Sequence, residues 1–288
     1  MISEFHTSDL TGNCLRAVQL RHDGQVIGKT ETALYRGSLF HEAVSVAYAA
    51  KWDGKPESFM ALGAAKVDAE AKRDNRPVTD AVLAAMVDLR TECVELLKWY
   101  KERFVSPDDK VIGVELPIRM TLEVDGEPVE FASHLDLLRR TKDGILTLRD
   151  FKTGEDDPTG PYLARNLQLG MYAMAIRHGS IQVDGEWIEF GEWPLVEWFH
   201  VNSLLPYKRK TTDKETGEVL PAGSHRPVDK IVRVAPIDES KERVIRDEFA
   251  LRVRMWRAGH FPTNPDPVGC LICQSRHACP HFTEPTNV

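Results

Sequence analysis

At 288 residues the chain is long enough to bury a substantial core, as one elaborated domain or a core with an attached lobe. A formal net charge of −7 and an isoelectric point near 5.8 argue against a protein that coats DNA regardless of sequence, because that binding rests on neutralising phosphates. No apolar run approaches the ~20 residues needed to cross a bilayer. The opening Met1–His6 is polar and does not read as a leader, so we expect a soluble, cytoplasmic protein in a reducing compartment.

Residues 8–20 predict a short helix capped by Ser8 or Thr11, with Cys14 in its first turns. Tyr35–Ala50 predicts a helix carrying His41, and Glu57–Lys72 and Thr79–Phe104 predict two more. Together they make a helical lobe over about residues 30–106. In the last of these helices Val82, Met86, Leu89, Cys93, Leu96, Tyr100 and Phe104 recur at three- and four-residue steps. Cys93 lies mid-stripe, where a thiol acts as a small core hydrophobe.

The period then changes. Val111–Val124, Val129–Arg140 and Ile145–Phe151 are β-rich and are joined by Asp125-Gly126 and Asp143-Gly144, strong hairpin signals. Leu163–His178 predicts a helix, Glu192–Ser203 a strand, and Asp238–Gly259 an amphipathic helix, with loops at 206–227 and 262–269. The expected fold is α/β: one domain over 1–288, with a mixed-sheet core at about 107–205 and a closing segment at about 236–282. On the last helix Ile245, Phe249, Val253 and Trp256 form the apolar stripe. Arg243, Arg246, Arg254 and Arg257 share an adjoining face, which we expect to be part of a phosphate track. Lys208-Arg209-Lys210 is a second, smaller basic cluster.

The strands offer two carboxylates and a lysine. Asp150 and Lys152, two apart in an extended chain, project to one face while Phe151 points to the core. A two-residue loop at Asp143-Gly144 would set Asp136 and Asp150 on opposite faces. A three-residue loop, Lys142–Gly144, would pair Thr141 with Ile145 and Asp136 with Asp150. Sequence alone leaves both registers open. Two adjacent carboxylates repel unless a cation lies between them, which points to Mg²⁺ or Mn²⁺; the bland alternative is a solvated strand face.

Four cysteines stand in a 3+1 pattern: Cys14, then Cys270, Cys273 and Cys279. The CxxC turn places two thiolates on one soft metal, and a third follows after a short loop. A disulfide framework fits the expected compartment poorly. An iron–sulfur cluster and a structural zinc both remain, with His277 close enough to be a rival zinc ligand; His134 and His281 look less committed.

Gly37-Ser38-Leu39-Phe40-His41, then Asp136, then Asp150-x-Lys152, then Gln168-x3-Tyr172 resembles, in that order, the RecB-type branch of the PD-(D/E)XK nuclease superfamily. The enclosing cysteines are similar to the iron–sulfur staple of that branch, which the AddB nuclease domain shares with CRISPR-adaptation-type exonucleases and their phage relatives. The resemblance implies a metal-dependent DNA exonuclease acting on single strands or duplex ends. It implies that His41, Asp136 and Asp150 hold the catalytic metal, with the Phe151 carbonyl as a further ligand. Lys152 would be the catalytic lysine, Gln168 and Tyr172 would organise the site, and Cys14, Cys270, Cys273 and Cys279 would hold a [4Fe-4S] cluster. Glu115 matches an acidic position on the first strand, as an outer partner of the site. One departure is Ser133, where relatives often carry glycine. The rival readings are a non-catalytic DNA-end-binding subunit and a zinc-stapled endonuclease.

Overall fold

The computed structural model describes residues 4–6, 9, 14–25, 32–73, 76–153, 163, 166–201, 211–212, 217, 219–220, 229–234, 237, 239–262, 273 and 275–280. A short strand β1 (Glu4–His6) precedes α1 (Leu15–His22), which starts after Cys14; of the helix expected over 8–20, Asp9 is helical and residues 8 and 10–13 lie outside the described residues. Three helices build the lobe: α2 (Thr32–Ala49), α3 (Pro56–Arg73) and α4 (Asp80–Phe104). Thr79 caps α4, its hydroxyl accepting from Val82 N at 3.4 Å. Helices α2 and α3 cross closely, because a Cβ on Gly63 would lie 2.7 Å from Ala43 N. Cys93 is fully buried in α4, and burial pushes its thiol up to about 12, so it is the core thiol its spacing predicts.

The strands follow. β2 (Lys110–Val124), β3 (Glu127–Arg140) and β4 (Leu146–Thr153) form the expected antiparallel meander. Helix α5 (Leu167–His178) crosses over to β7 (Leu195–Val201), which pairs parallel with β4. The α5 start lies later than the expected Leu163, at the Asn166 cap whose Oδ1 accepts from Leu169 N. Between them lies a hairpin that the sequence reading missed, β5 (Ser180–Val183) and β6 (Glu186–Ile188). Within the predicted loop 206–227 the chain forms a small separate pair, β8 (Thr211–Thr212) and β9 (Val219–Leu220). β10 (Asp229–Val234) adds a further unpredicted strand, and α6 (Glu239–Arg257) closes the fold. The main sheet runs β10-β7-β4-β3-β2-β5-β6, with β1 parallel to β3 beyond the end of β4. No helix among the described residues is long and apolar enough to cross a membrane.

Helices cover both faces. Leu116, Ile118, Leu135, Leu148 and Val196 meet α5 and α6 through Leu169, Met171, Phe249 and Val253. On the opposite face Leu137, Phe151 and Phe199 pack beneath the lobe, against Tyr35, Phe40 and Tyr100. β4 is therefore buried on both sides over Leu146–Phe151, and its polar members Thr147, Arg149 and Asp150 are buried with the apolar ones.

The hairpins differ in a way that settles the register. At Asp125-Gly126 and Asp184-Gly185 both residues take positive φ, the signature of two-residue turns. At Asp143-Gly144 only the glycine does, at φ 80°, and Thr141 N donates to Ile145 O at 3.0 Å. This is the three-residue loop. It pairs Leu137 with Arg149 and Arg140 with Leu146, so one further step sets Asp136 opposite Asp150.

Candidate active site

Helix α2 brings His41 to the sheet because its preceding turn carries no side chain at Gly37. A Cβ there would meet Thr153 Oγ1 at 3.0 Å, so glycine lets the helix approach the end of β4. His41 Nε2 donates to the Phe151 carbonyl at 2.9 Å, which turns Nδ1 toward two carboxylates. Asp136 Oδ2 lies 3.7 Å away and Glu115 Oε1 3.9 Å away.

Strand alternation breaks at this point. Leu135 and Leu138 belong to the α5–α6 side but Leu137 belongs to the lobe side, so β3 turns Asp136 and Leu137 in succession toward the helices. On β2 Glu115 takes φ 49°, a left-handed conformation that is strained for a residue with a Cβ. Asp136 Oδ2 also accepts from Phe151 N at 2.6 Å, which locks its carboxylate to the peptide after Asp150.

His41, Glu115 and Asp136 are the one group among the described residues whose three metal-ligating atoms lie within 4.8 Å of one another. Donors on opposite sides of a small divalent ion are ~4.2 Å apart, so the set fits such an ion. Burial works against a charged imidazole, but Asp136 and Glu115 overcome it and raise His41 to about 9. Without metal, an imidazolium thus holds the place of a cation between the carboxylates.

Asp150 stands just outside that group, and its carboxylate is almost wholly buried (1 % exposed). Lys152 Nζ lies 2.7 Å from Oδ2, as their shared strand face predicts. Gln168 Nε2 donates to Oδ1 at 3.4 Å and to the Tyr172 hydroxyl at 3.0 Å, and Ser133 Oγ reaches the same hydroxyl at 3.4 Å. The serine that departs from the expected glycine thereby joins the network. Burial raises Asp150 to about 6 in spite of Lys152, and Asp136 pushes the same way. Burial opposes charge on Lys152 as well, but Asp150 and Asp136 hold it firmly protonated. Its ammonium also stands 5.2 Å from the centre of the Trp198 ring.

The structure therefore gathers His41, Asp136, Asp150, Lys152, Gln168 and Tyr172 along the lobe-side and α5-side margins of β3 and β4. Glu115, expected as an outer partner, lies among the donor atoms. The Phe151 carbonyl, expected as a ligand, is engaged by His41. Cys14, Cys273 and Cys279 are half-buried free thiols, and Cys270 and His281 lie outside the described residues, as does the Lys208–Lys210 cluster. Among the described residues these thiols do not converge within 4.8 Å, and His277 is exposed beside Cys279. Helix α1 does meet the end of α6: His22 packs on Trp256 at 5.0 Å between ring centres, and Arg16 lies over Phe261 at 5.8 Å.

Three of the four arginines expected to form a track on α6 are already engaged within the chain. Arg254 makes a bidentate contact with Asp125 at the β2–β3 turn, Arg257 reaches Val124 O and Glu127, and Arg246 binds Glu242.

A histidine and carboxylates converging beside a strand-borne Asp-x-Lys, on a mixed sheet between helices, define a metal-dependent nuclease. The chain belongs to the PD-(D/E)XK nuclease superfamily, whose sequence model matches residues 10–280. No curated protein matches it. A solved structure titled "Crystal structure of SSO0001" aligns over 98 % of this chain and 87 % of that one, at 13 % identity and a TM-score of 0.43.

Proposed function

We propose that the protein is a metal-dependent deoxyribonuclease of the RecB-type branch, an exonuclease acting on single strands or duplex ends. The observation that carries this reading is the buried Asp150–Lys152 pair set against the His41, Glu115 and Asp136 donors. We assign His41, Asp136 and Asp150 to the metal and add Glu115 to them. A divalent ion there, Mn²⁺ or Mg²⁺, would polarise a non-bridging phosphate oxygen and acidify a water. Mixed nitrogen and oxygen donors suit Mn²⁺ in particular.

The chain's own groups supply the rest. The Phe151 carbonyl fixes the His41 tautomer by accepting its Nε2–H bond. Asp150 and Asp136 favour the charged form of Lys152, whose ammonium donates hydrogen bonds and offsets charge developing on the phosphate. Gln168 and Tyr172 hold the Asp150 carboxylate in place. A charged carboxylate–lysine pair at 1 % and 32 % side-chain exposure is costly to bury, which favours catalysis over a retired, binding-only site. We further propose that Cys14, Cys270, Cys273 and Cys279 bind a [4Fe-4S] cluster. The packing of α1 against the end of α6 supports this, since it brings the Cys14 segment to the residues that lead into Cys270.

End-labelled linear DNA and closed circular DNA, each with Mg²⁺ or Mn²⁺, test the activity. Mononucleotide or short-oligomer release from linear DNA with circles intact supports an exonuclease; nicked circles contradict it. Iron and acid-labile sulfide in anaerobically purified protein test the cluster, and stoichiometric zinc without iron would exclude it while leaving the nuclease reading in place.

A further inference from the structure

The open face of the sheet beyond the lobe carries a fixed cation that no catalytic role uses. Side chains at 117, 119, 121 and 123 of β2 share the face opposite the buried Leu116, Ile118, Met120 and Leu122. Glu115 of the donor group stands at the backbone irregularity just before this row, and the exposed Arg119 lies four residues on. At ~3.3 Å per residue the two are ~13 Å apart, the reach of about four stacked nucleotides at ~3.4 Å each.

Arg119 is immobilised without a carboxylate. Its Cζ stands 4.0 Å from the centre of the Trp187 ring on β6, and its Nε donates to Ser180 Oγ on β5 at 3.2 Å. Among the described residues nothing binds its Nη groups. Arg140, Arg149, Arg246 and Arg254, by contrast, each rest on an acid. A guanidinium held flat by a ring and a neutral hydroxyl keeps its full charge and an outward pair of donors, the geometry that suits a phosphate. Trp187 is itself 39 % exposed, so the indole edge remains open to a base or sugar. His134, on the same face of β3 and paired with Pro117, continues the row; its ring lies 6.5 Å from that of His6 on β1.

We propose that Arg119, stacked on Trp187, binds a backbone phosphate of the nucleic-acid strand about four nucleotides from the scissile bond. This rests on the nuclease reading of the adjoining site and adds to it a single-strand platform. The occupant follows from the unneutralised cation, the open aromatic edge and the place of Arg119 four residues along β2 from Glu115 of the donor group. It also explains how a protein of net charge −7 holds DNA: one pre-organised contact replaces a broad basic surface.

The test is fluorescence anisotropy with fifteen-nucleotide and three-nucleotide oligothymidylates in chelator, using wild type, Arg119→Gln, Arg119→Lys and Trp187→Leu. All four proteins are first matched for melting temperature. The proposal expects Arg119→Gln to weaken binding of the long strand about tenfold and lower its salt slope by ~0.7, the value for one single-strand phosphate contact. Arg119→Lys should keep the slope but lose affinity, because the flat stack is gone, and Trp187→Leu should lose affinity likewise. None should differ from wild type on the trinucleotide, which is too short to span the distance. Equal affinity and slope for all four on the long strand, while wild type still cleaves DNA with Mn²⁺, overturns the platform alone. A wild type that neither binds the strand nor cleaves it overturns the nuclease reading together with it.

Discussion

Single side chains set the electrostatics of the centre, and two of them make testable demands. Glu115 holds a left-handed backbone at φ 49°, a conformation that costs a residue with a Cβ ~1–2 kcal/mol relative to glycine. Glu115→Gly should therefore be more stable than Glu115→Ala by about 1 kcal/mol in denaturant melts, while both lose divalent-ion affinity in calorimetry. If alanine were the more stable, the strain would be absent. His41 gives a pH signature in the metal-free protein. Its pKa is raised in the folded state, so its stabilising contribution is complete below the ordinary 6.5 and is lost as pH rises through about 9. In chelator the melting temperature should fall across that window, and His41→Gln should flatten this part of the profile. An unchanged profile for His41→Gln would contradict the carboxylate contacts. The residue types of the centre were legible in the sequence, because Asp-x-Lys must share a strand face. The place of Glu115 was not, since it depends on a backbone irregularity that no spacing announces.

At the scale of elements, the β3–β4 register was the open question, and loop chemistry decided it. Asp143-Gly144 looks like Asp125-Gly126 in sequence, but only the glycine enters positive φ there, and the extra loop residue puts Asp136 opposite Asp150. Long periodic helices were legible to within a few residues: Thr79–Phe104 was expected and Asp80–Phe104 is found. The β5–β6 hairpin is not legible although Asp184-Gly185 carries the same signal, because its strands are only four and three residues long, the first half-buried and the second exposed. The α6 arginines show the limit of face-counting. Helical periodicity placed Arg254 and Arg257 correctly on one side, but it could not reveal that Asp125 and Glu127 wait there on the β2–β3 turn. Replacing both with Gln should leave the salt dependence of DNA binding unchanged. A flatter slope would restore these arginines to the DNA path.

The molecule as a whole is tied together by a buried charge cluster beneath the lobe. Glu197 of β7 accepts from Arg149 at 2.9 Å and from Arg139 at 3.1 Å, and Arg139 also binds Asp109. Arg149 in turn donates to the Tyr100 hydroxyl at 2.8 Å, within a cage of Tyr100, Phe104 and Phe199 rings. Glu197 is held ionised below the ordinary carboxylate range: burial opposes this, and the two guanidinium groups outweigh it. Removing it leaves two buried cations short of a partner, so Glu197→Ala should destabilise the protein by about 3–5 kcal/mol. A loss under 1 kcal/mol in a two-state melt would show that the lobe and sheet are joined by apolar packing alone. No helical or strand period reveals such a cluster, because its members come from α4, the turn before β2, β3, β4 and β7 and meet only once the sheet order is set.

The proposed chemistry rests on one pair of charges beside one group of donors, and the most direct measurement is metal-dependent cleavage by wild type and Lys152→Ala side by side. End-labelled single- and double-stranded DNA should be degraded by the wild type with Mn²⁺ or Mg²⁺ and left intact in chelator. Lys152→Ala should bind the same DNA but cut it slower by two or more orders of magnitude. Cleavage that survives chelation, or a Lys152→Ala protein that cuts at the wild-type rate, would contradict the account.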